Sequence, residues 1–197
     1  GVIASVEYGP TGLRERIVYA NGLETRRSYT PGDYLLRELL TQPVAGGHRY
    51  QHLVYELDAV GQVSHIDDLS TVPGKLRLNQ SFTYDSRNRL TRAAGNQSGF
   101  DFQYRYDDLG NLTFNGETAT TLHYAHESGM TAAPNRLTRR NDAAADEFAY
   151  DASGNLTRDP EIGLLHYDLR HRLVRIERSD GSVIHYRYDH NDRRVMT

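Results

Sequence analysis

Hydrophobic and polar residues alternate along much of the chain. Phe102, Tyr104 and Tyr106 occupy every second position, and Gln103 and Arg105 lie between them. The same period of two, rich in Tyr, Val and Ile, recurs near the C-terminus. Alternation of this kind predicts half-buried β-strands. Because no segment shows a sustained helical period, we predict an all-β chain of antiparallel strands.

An eight-residue motif follows these strands. The pattern Tyr-Asp-x-x-Gly-Asn-Leu-Thr occurs at residues 106–113 and again at 150–157. Related copies begin at Tyr84, Tyr167 and Tyr188, and weaker ones lie at residues 8–13, 29–35 and 57–63. Copies recur about every 20 residues, which is the length of one hairpin. A repeated supersecondary unit predicts stacked antiparallel β-hairpins and shifts the functional question from catalysis towards surface and enclosure.

Each copy is interpreted as strand, turn and strand. The Asp side chain can accept hydrogen bonds from backbone N–H groups two residues on, and the Gly tolerates a positive φ that closes the turn. The Leu then starts the return strand on the face of the Tyr. Asn88, His171 and Asp192 replace the Gly in three copies. Because His accepts positive φ less readily, we expect the turn at His171 to be distorted.

The whole chain, residues 1–197, is predicted to be one repeat region that forms one continuous sheet. Repeats are degenerate over residues 1–80 and well formed over 81–197. Residues 135–139 copy the second half of the motif without its Tyr-Asp, residues 34–40 are predicted to form a return strand, and residues 41–47 and 67–74 are predicted to be loops. Since the chain starts at Gly1 and ends at Thr197 within a hairpin, we expect a piece of a longer polypeptide.

The candidate site residues are the repeat positions themselves. We expect the Tyr and Leu residues to stack on neighbouring hairpins and to carry stability, while Asp, Gly and Asn build the turns. An aromatic surface that binds glycans or an unfolded chain is the alternative for the Tyr residues. The positions are Tyr84, Asp85, Leu90, Tyr106, Asp107, Gly110, Asn111, Leu112, Tyr150, Asp151, Gly154, Asn155, Leu156, Tyr167, Asp168, Leu173, Tyr188 and Asp189.

Composition supports a one-sided sheet. The mean hydropathy is −0.68 and 38% of residues are hydrophobic, low values that fit strands with one polar face. Fourteen Tyr and no Trp supply rings that pack while their hydroxyls reach a partner. The net charge of −3 argues against nucleic-acid binding. The absence of Cys excludes disulfides and thiolate metal sites, and no apolar run is long enough to predict a membrane span.

The histidines and acidic pairs do not predict catalysis. On a strand, His48 and His52 would lie about 13 Å apart, too far to share a metal ion. His123 and His126 would face opposite sides, so we expect surface histidines or ones that line an interior. Residues 159–164 are predicted to form a turn between strands. The acidic groups Asp67-Asp68, Asp107-Asp108 and Asp142 with Asp146-Glu147 lack calcium-loop spacing and are interpreted as turn and loop residues. We predict no enzyme activity, no cofactor and no metal.

The motif copies and their order resemble the Rhs/YD-repeat family, which includes bacterial Rhs toxins, insecticidal toxin-complex proteins and the YD shell of teneurins. The resemblance covers nearly the whole chain and is strongest over residues 82–195. It implies hairpins that stack into a sheet spiralling into a hollow shell. In the toxins, such a shell encloses a C-terminal toxin polypeptide.

Two functions follow from this resemblance. The first is a section of shell wall whose partners are the rest of its own shell, an enclosed toxin domain and a toxin-complex delivery subunit, secreted as part of a larger toxin. The second is an extracellular YD-repeat module that binds glycans or a cell-surface partner. In either case the outer strands would have unpaired edges, which favours self-association of the isolated chain.

Overall fold

The computed structural model describes residues 2–128, 133, 135–141 and 148–196. Apart from one 3₁₀ helix, Ala125–Ser128, the regular elements of these residues are strands, which confirms the prediction of an all-β fold of antiparallel hairpins. The strands are β1 (Ile3–Tyr8), β2 (Arg14–Tyr19), β3 (Leu23–Tyr29), β4 (Leu36–Pro43), β5 (Gln51–Leu57), β6 (Val63–Asp68), β7 (Gln80–Tyr84), β8 (Leu90–Gly95), β9 (Asp101–Tyr106), β10 (Leu112–Asn115), β11 (Thr120–Tyr124), β12 (Leu137–Arg140), β13 (Ala149–Tyr150), β14 (Leu156–Asp159), β15 (Gly163–Tyr167), β16 (Leu173–Glu177), β17 (Val183–His185), β18 (Arg187–Tyr188) and β19 (Arg194–Met196).

Strands that follow one another in sequence also pair in space. The described strands form sheets of 12, five and two strands, each in sequence order. The prediction of one continuous sheet is therefore not met among the described residues. One division falls between β17 and β18, where Tyr186 interrupts the strand while its N–H still donates to the carbonyl of Val174.

The chain divides into two compact units, residues 1–104 and residues 105–197. In the first unit, the register places charged side chains on one face of the sheet, among them Glu7, Arg16, Glu24, Glu38 and His52. The opposite face is more apolar and carries Ile17, Thr25, Leu39, Leu53, Tyr55, Ile66, Phe82, Ala93 and Phe102, together with the charged residues Arg27 and Asp68. Full burial of an apolar side chain is recorded in this unit for Ile17 and Ala93, as expected for a single-layered sheet.

Two predicted loops are shorter than expected because the strands beside them are longer. β4 continues to Pro43, whose Cα pairs with Leu23 in the long strand β3. β6 continues to Asp68, which pairs with Leu53. The segments 41–43 and 67–68 are therefore strand, and the loop predictions there are wrong. The prediction of a return strand at residues 34–40 is confirmed from Leu36 on, where β4 begins, whereas Tyr34 and Leu35 precede the strand.

Among the described residues of the second unit, the fully buried apolar ones are Ala125, Phe148, Leu165 and Ile176. His126 lies in the 3₁₀ helix and not in a strand, so the predicted placement of His123 and His126 on opposite faces of one strand is wrong. The turn predicted at residues 159–164 is confirmed at residues 160–162, which join β14 to β15, whereas Asp159, Gly163 and Leu164 lie in the strands. The single repeat region over residues 1–197 stays a prediction.

Candidate functional site at the seams between hairpins

The turn of the motif is held by the carboxylate of its Asp. Asp151 Oδ1 accepts from the N–H groups of Ser153 and Asn155, both at 2.9 Å. The Asp151 N–H donates to the Asn155 carbonyl at 3.0 Å, and Gly154 closes the turn with φ of 90°. The Gly154 N–H also donates to the Asp151 carbonyl at 3.1 Å, so residues 151–154 form a hydrogen-bonded β-turn that ends at a residue with positive φ. The same two carboxylate contacts recur at Asp58, Asp85, Asp168 and Asp189.

The second carboxylate oxygen accepts from the side chain four residues on. Asp151 Oδ2 receives Asn155 Nδ2 at 2.7 Å, and Asp168 Oδ2 receives Arg172 Nε at 2.8 Å. These side-chain hydrogen bonds are the main cause that lowers the pKa of both carboxyl groups, for Asp168 to about 2. Asp107 with Asn111 and Asp85 with Arg89 repeat the contact.

The turns without Gly keep the same geometry. Asn88, His171 and Asp192 have φ of 63°, 59° and 59°, and each donates its N–H to the carbonyl of the motif Asp. The distortion expected at His171 is therefore absent. At two of these positions the side chain contacts the preceding turn, since Asn155 Nδ2 lies 3.0 Å from His171 Nδ1 and Arg172 donates to Asp192.

The Leu-Thr of the motif contains a β-bulge. Tyr150 pairs with Leu156 and Ala149 pairs with Arg158, so Thr157 is an extra residue in the return strand. Thr91, Val174 and Val195 are extra residues at the same place in three other copies. A bulge bends its strand and re-aims neighbouring side chains. Here it recurs beside the motif Tyr.

The motif Tyr connects its own hairpin to the preceding one. The hydroxyl of Tyr84 donates to the Val63 carbonyl at 2.8 Å, and that of Tyr188 donates to the Leu173 carbonyl at 2.9 Å. In each case the acceptor is the first residue of the preceding return strand. We call these contacts tyrosine bridges. The others that the structure records are Tyr29 to Arg14, Tyr124 to Leu112 and Tyr150 to Leu137.

Tyrosine bridges lie where the backbone pairing between hairpins stops. β6 and β7 pair at His65 with Ser81 and at Ile66 with Gln80, away from the turns. Beyond these pairs, towards the turns, the bridge from Tyr84 joins the two strands. β10 and β11 repeat this arrangement, with backbone pairs at residues 114–115 and a bridge from Tyr124. We call each such boundary between hairpins a seam.

Two bridging tyrosines were not among the predicted site residues. Tyr29 precedes Thr and not Asp, and Tyr124 precedes Ala. Tyr124 nevertheless pairs with Leu137, as the motif Tyr pairs with the motif Leu in other copies. Tyr124 is therefore the motif Tyr of the copy at residues 135–139, separated from it by an insertion. The signal in the sequence was this Tyr upstream of an incomplete copy.

Side chains at the predicted Tyr and Leu positions are half-buried. Burial is the largest influence on the pKa of Tyr84, Tyr124, Tyr150 and Tyr167, which it raises. In a tyrosine bridge the apolar ring packs against its neighbours while the polar hydroxyl donates to a carbonyl, so both the ring and the hydroxyl of Tyr are used. Arg172 adds a cation–π contact, with its guanidinium 4.8 Å from the centre of the Tyr188 ring.

A buried ion cluster lies in the first unit. Glu24 is 1% exposed and accepts from Arg16 Nε at 2.7 Å, Arg26 Nε at 2.9 Å and Gln42 Nε2 at 3.1 Å. Burial alone would raise the pKa of Glu24, but these hydrogen bonds outweigh it and lower the pKa to about 2. Arg16 also pairs with Glu7.

Two further groups are buried and polar. His52 is 7% exposed and bonds Glu38 at 2.6 Å, so of the two predicted places, the surface or the lining of an interior, the surface is wrong. Asp68 accepts from the hydroxyl of Ser70, which also receives Lys75 Nζ at 2.9 Å. Asp67 and Asp68 lie in the strand β6, so they are not turn or loop residues as predicted.

Of the other acidic residues considered, Asp142, Asp146 and Glu147 lie outside the described residues. Over the described ranges, no group of three or more His, Asp or Glu is placed to hold a metal ion.

Comparison with known proteins gives a family and a fold. The family model described as Teneurin YD-shell matches residues 40–197. No curated protein matches the chain. The structure of TcdB2-TccC3 superimposes with a TM-score of 0.77 at 23% identity over 98% of this chain. A Tc holotoxin pore from Photorhabdus luminescens and TcdB2-TccC3-TEV give TM-scores of 0.76 at 23% and 24% identity over 98% of this chain. This chain spans 11% of the length of each of these chains.

Proposed function

Because the chain belongs to the teneurin YD-shell family, we propose that it forms a section of a β-sheet shell that encloses a toxin polypeptide before delivery. Its partners would be the rest of its own shell, the enclosed polypeptide and a toxin-complex delivery subunit, all in a secreted toxin. The observation that carries the proposal is the tyrosine bridge, which joins one hairpin to the preceding one at the seams of Tyr29, Tyr84, Tyr124, Tyr150 and Tyr188.

A wall must stay closed along every strand boundary. Within a hairpin, backbone pairing runs up to the turn, as Tyr84 pairs with Leu90. Between hairpins, pairing covers only part of the strand length, and the bridge closes the remainder. A sheet whose backbone groups are paired on both sides offers an enclosed chain few edges to add to. The bridges therefore support a barrier.

The chemistry of the sheet also suits a wall. In the first unit one face is rich in charged side chains and the other is mainly apolar, with Arg27 and Asp68 among its residues, and few side chains of either face are fully buried. Such a single layer leaves both faces accessible, one to solvent and one to the enclosed polypeptide.

The part of the chain that the structure describes contains no helix of the length and hydrophobicity that a membrane span requires.

The alternative, a module that binds glycans or a cell-surface partner through its tyrosines, is less well supported. Glycan recognition by this array would need free Tyr hydroxyls for hydrogen bonds or exposed rings for stacking, and the rings of the bridging tyrosines are half-buried. The hydroxyls of Tyr29, Tyr84, Tyr124, Tyr150 and Tyr188 already donate to backbone carbonyls.

A chimera tests the proposal. The chain replaces the superimposed stretch of TcdB2-TccC3, and protease resistance of an enclosed polypeptide is followed over time. We expect protection equal to that of the parent. A second chimera that carries Tyr84→Phe, Tyr150→Phe and Tyr188→Phe should lose protection faster, because three seams lack their bridges. A folded chimera whose contents are digested as fast as free polypeptide would contradict the proposal.

A further inference from the structure

Arg27 is a cation without a partner on the mainly apolar face of the first unit. It lies opposite Leu39, and its Nη1 is buried with no hydrogen-bond partner among the described residues. Glu15, in the neighbouring strand β2, has its carboxylate against Gly9 and forms no ion pair with Arg27. Because a buried donor without an acceptor costs free energy, an acceptor that reaches this guanidinium would be bound.

The acidic residue on the same face does not compensate Arg27. Leu39 and Leu53 stand between Arg27 and Asp68 in one row across the sheet. The two charged residues are thus three strands, about 14 Å, apart. The Asp68 carboxylate is also occupied, since it accepts from both the N–H and the hydroxyl of Ser70. The positive charge of Arg27 therefore remains available to a ligand.

Arg27 lines an open groove of about 420 Å³ on this face. The groove follows β3 from Leu23 to Arg27, a length of about 13 Å, which accommodates about four residues of extended chain. Leu23 and Leu39 make part of its lining apolar, and Gln51 adds an amide. The described side chains that line the groove include no Asp or Glu.

A second donor lies in the same groove. The hydroxyls of Thr25 and Thr41 are 3.0 Å apart, and Thr25 donates to the hydroxyl of Tyr19 at 3.5 Å. Because a hydroxyl has a single proton, Thr41 donates to Thr25, and the Tyr19 hydroxyl keeps its own proton for a further acceptor. The groove therefore combines a cation, a hydroxyl donor and apolar side chains.

We propose that this groove holds an acidic side chain of the enclosed polypeptide, with the carboxylate on the guanidinium of Arg27. The inference rests on the proposed function, which places a polypeptide against one face of the sheet. Charge complementarity selects a carboxylate, because the planar guanidinium donates two parallel hydrogen bonds to it. The residues beside the acidic one lie extended along β3, where a backbone carbonyl accepts from Tyr19.

Peptide binding to the whole chain tests the class of ligand. In fluorescence anisotropy, the peptide Ala-Leu-Glu-Leu-Ala should bind about tenfold more tightly than Ala-Leu-Gln-Leu-Ala, because the second peptide lacks the charged acceptor. Arg27→Met should remove this difference without lowering the melting temperature. Arg14→Met, which removes an exposed arginine outside the groove, is the matched control and should keep it. Equal binding of both peptides to the wild-type chain, or a difference that survives in Arg27→Met, would overturn the proposal.

Photocrosslinking in the chimera identifies the occupant. A diazirine analogue of Leu replaces Leu39, and its adducts are mapped by mass spectrometry. We expect adducts in the enclosed polypeptide within about two residues of an Asp or Glu, half the length of the groove, and Arg27→Met should scatter them. Adducts to another part of the shell, or adducts scattered while Arg27 is present, would overturn this inference and leave the protease protection intact. Loss of that protection would instead contradict the proposed function.

Discussion

The first two hairpins and the well-formed hairpins of the second unit reach the same geometry from different sequences. Asp151 and Asp168 hold their turns with carboxylate contacts. Gly9 has no side chain, yet its N–H donates to the Leu13 carbonyl at 2.9 Å, as in the other turns. At Thr30 the loop is one residue longer, and the Thr hydroxyl accepts from the Leu35 N–H at 3.0 Å.

Interactions across strands replace the missing carboxylates. The Glu24 cluster gathers side chains from β2, β3 and β4, so it ties together the two hairpins that lack a motif Asp. The comparison teaches that the repeat keeps its backbone geometry, whereas the means of holding a turn can change. Where the motif is complete, the Asp carboxylate stabilises the turn locally. Where the Asp is missing, the Glu24 cluster stabilises the hairpins through contacts across strands.

Removal of the Glu24 carboxylate should have the largest effect in this comparison. Glu24→Ala leaves Arg16 and Arg26 without their shared partner, and we expect a loss of about 3 kcal/mol in the free energy of unfolding. Hydrogen exchange should place the loss in the first unit. Glu15→Ala, an exposed neighbour, is the control and should change little. Equal stability of both variants would contradict the role given to the cluster.

Truncation of repeat residues should come next. Tyr106 and Leu112 are half-buried, so Tyr106→Ala and Leu112→Ala should each cost about 2 kcal/mol, in the lower part of the range for large-to-small changes. His52→Ala should cost about 1 kcal/mol, because it removes the bond to Glu38. His48→Ala is the control. Thermal melts that rank His48→Ala above the Tyr and Leu changes would refute the ranking.

The hairpins could be predicted from the sequence, whereas the contacts at the seams between hairpins could not. Alternating residues and Asp-x-x-Gly turns depend on neighbours within a few positions, and these predictions hold at residues 150–157. The Glu24 cluster depends on the register of three strands, with Gln42 18 residues away from Glu24. Tyr124 was missed because an insertion separates it from Leu137, its partner in the hairpin.

Acid should weaken the complete turns and the cluster in a defined window. The folded-state pKa of both Asp168 and Glu24 is lowered to about 2, below the ordinary value of each carboxyl group. Their contribution is therefore present above about pH 4 and is lost as the pH falls towards 2. Denaturant unfolding at pH 6 and pH 3 should show that Asp168→Asn has a smaller pH dependence than wild type. If Asp168→Asn and the wild type lost the same stability between pH 6 and pH 3, protonation of Asp168 would not be a cause of the acid sensitivity.

The smallest change is the most direct test of the tyrosine bridge. Tyr188→Phe removes one hydroxyl and keeps the ring, so the bond to the Leu173 carbonyl is lost. Two amide groups report the result, because the Tyr186 N–H donates across the seam to Val174 and the Asp189 N–H donates within the turn to Arg193, both at 2.9 Å.

Hydrogen exchange resolved to single amides should show the Tyr186 N–H of Tyr188→Phe exchanging about fivefold faster than in wild type, the worth of one hydrogen bond. The Asp189 N–H should keep its rate. Tyr34→Phe, which alters a 51% exposed ring in a turn, should leave both rates unchanged. Equal exchange at Tyr186 in wild type and Tyr188→Phe would show that the bridge does not hold the seam closed.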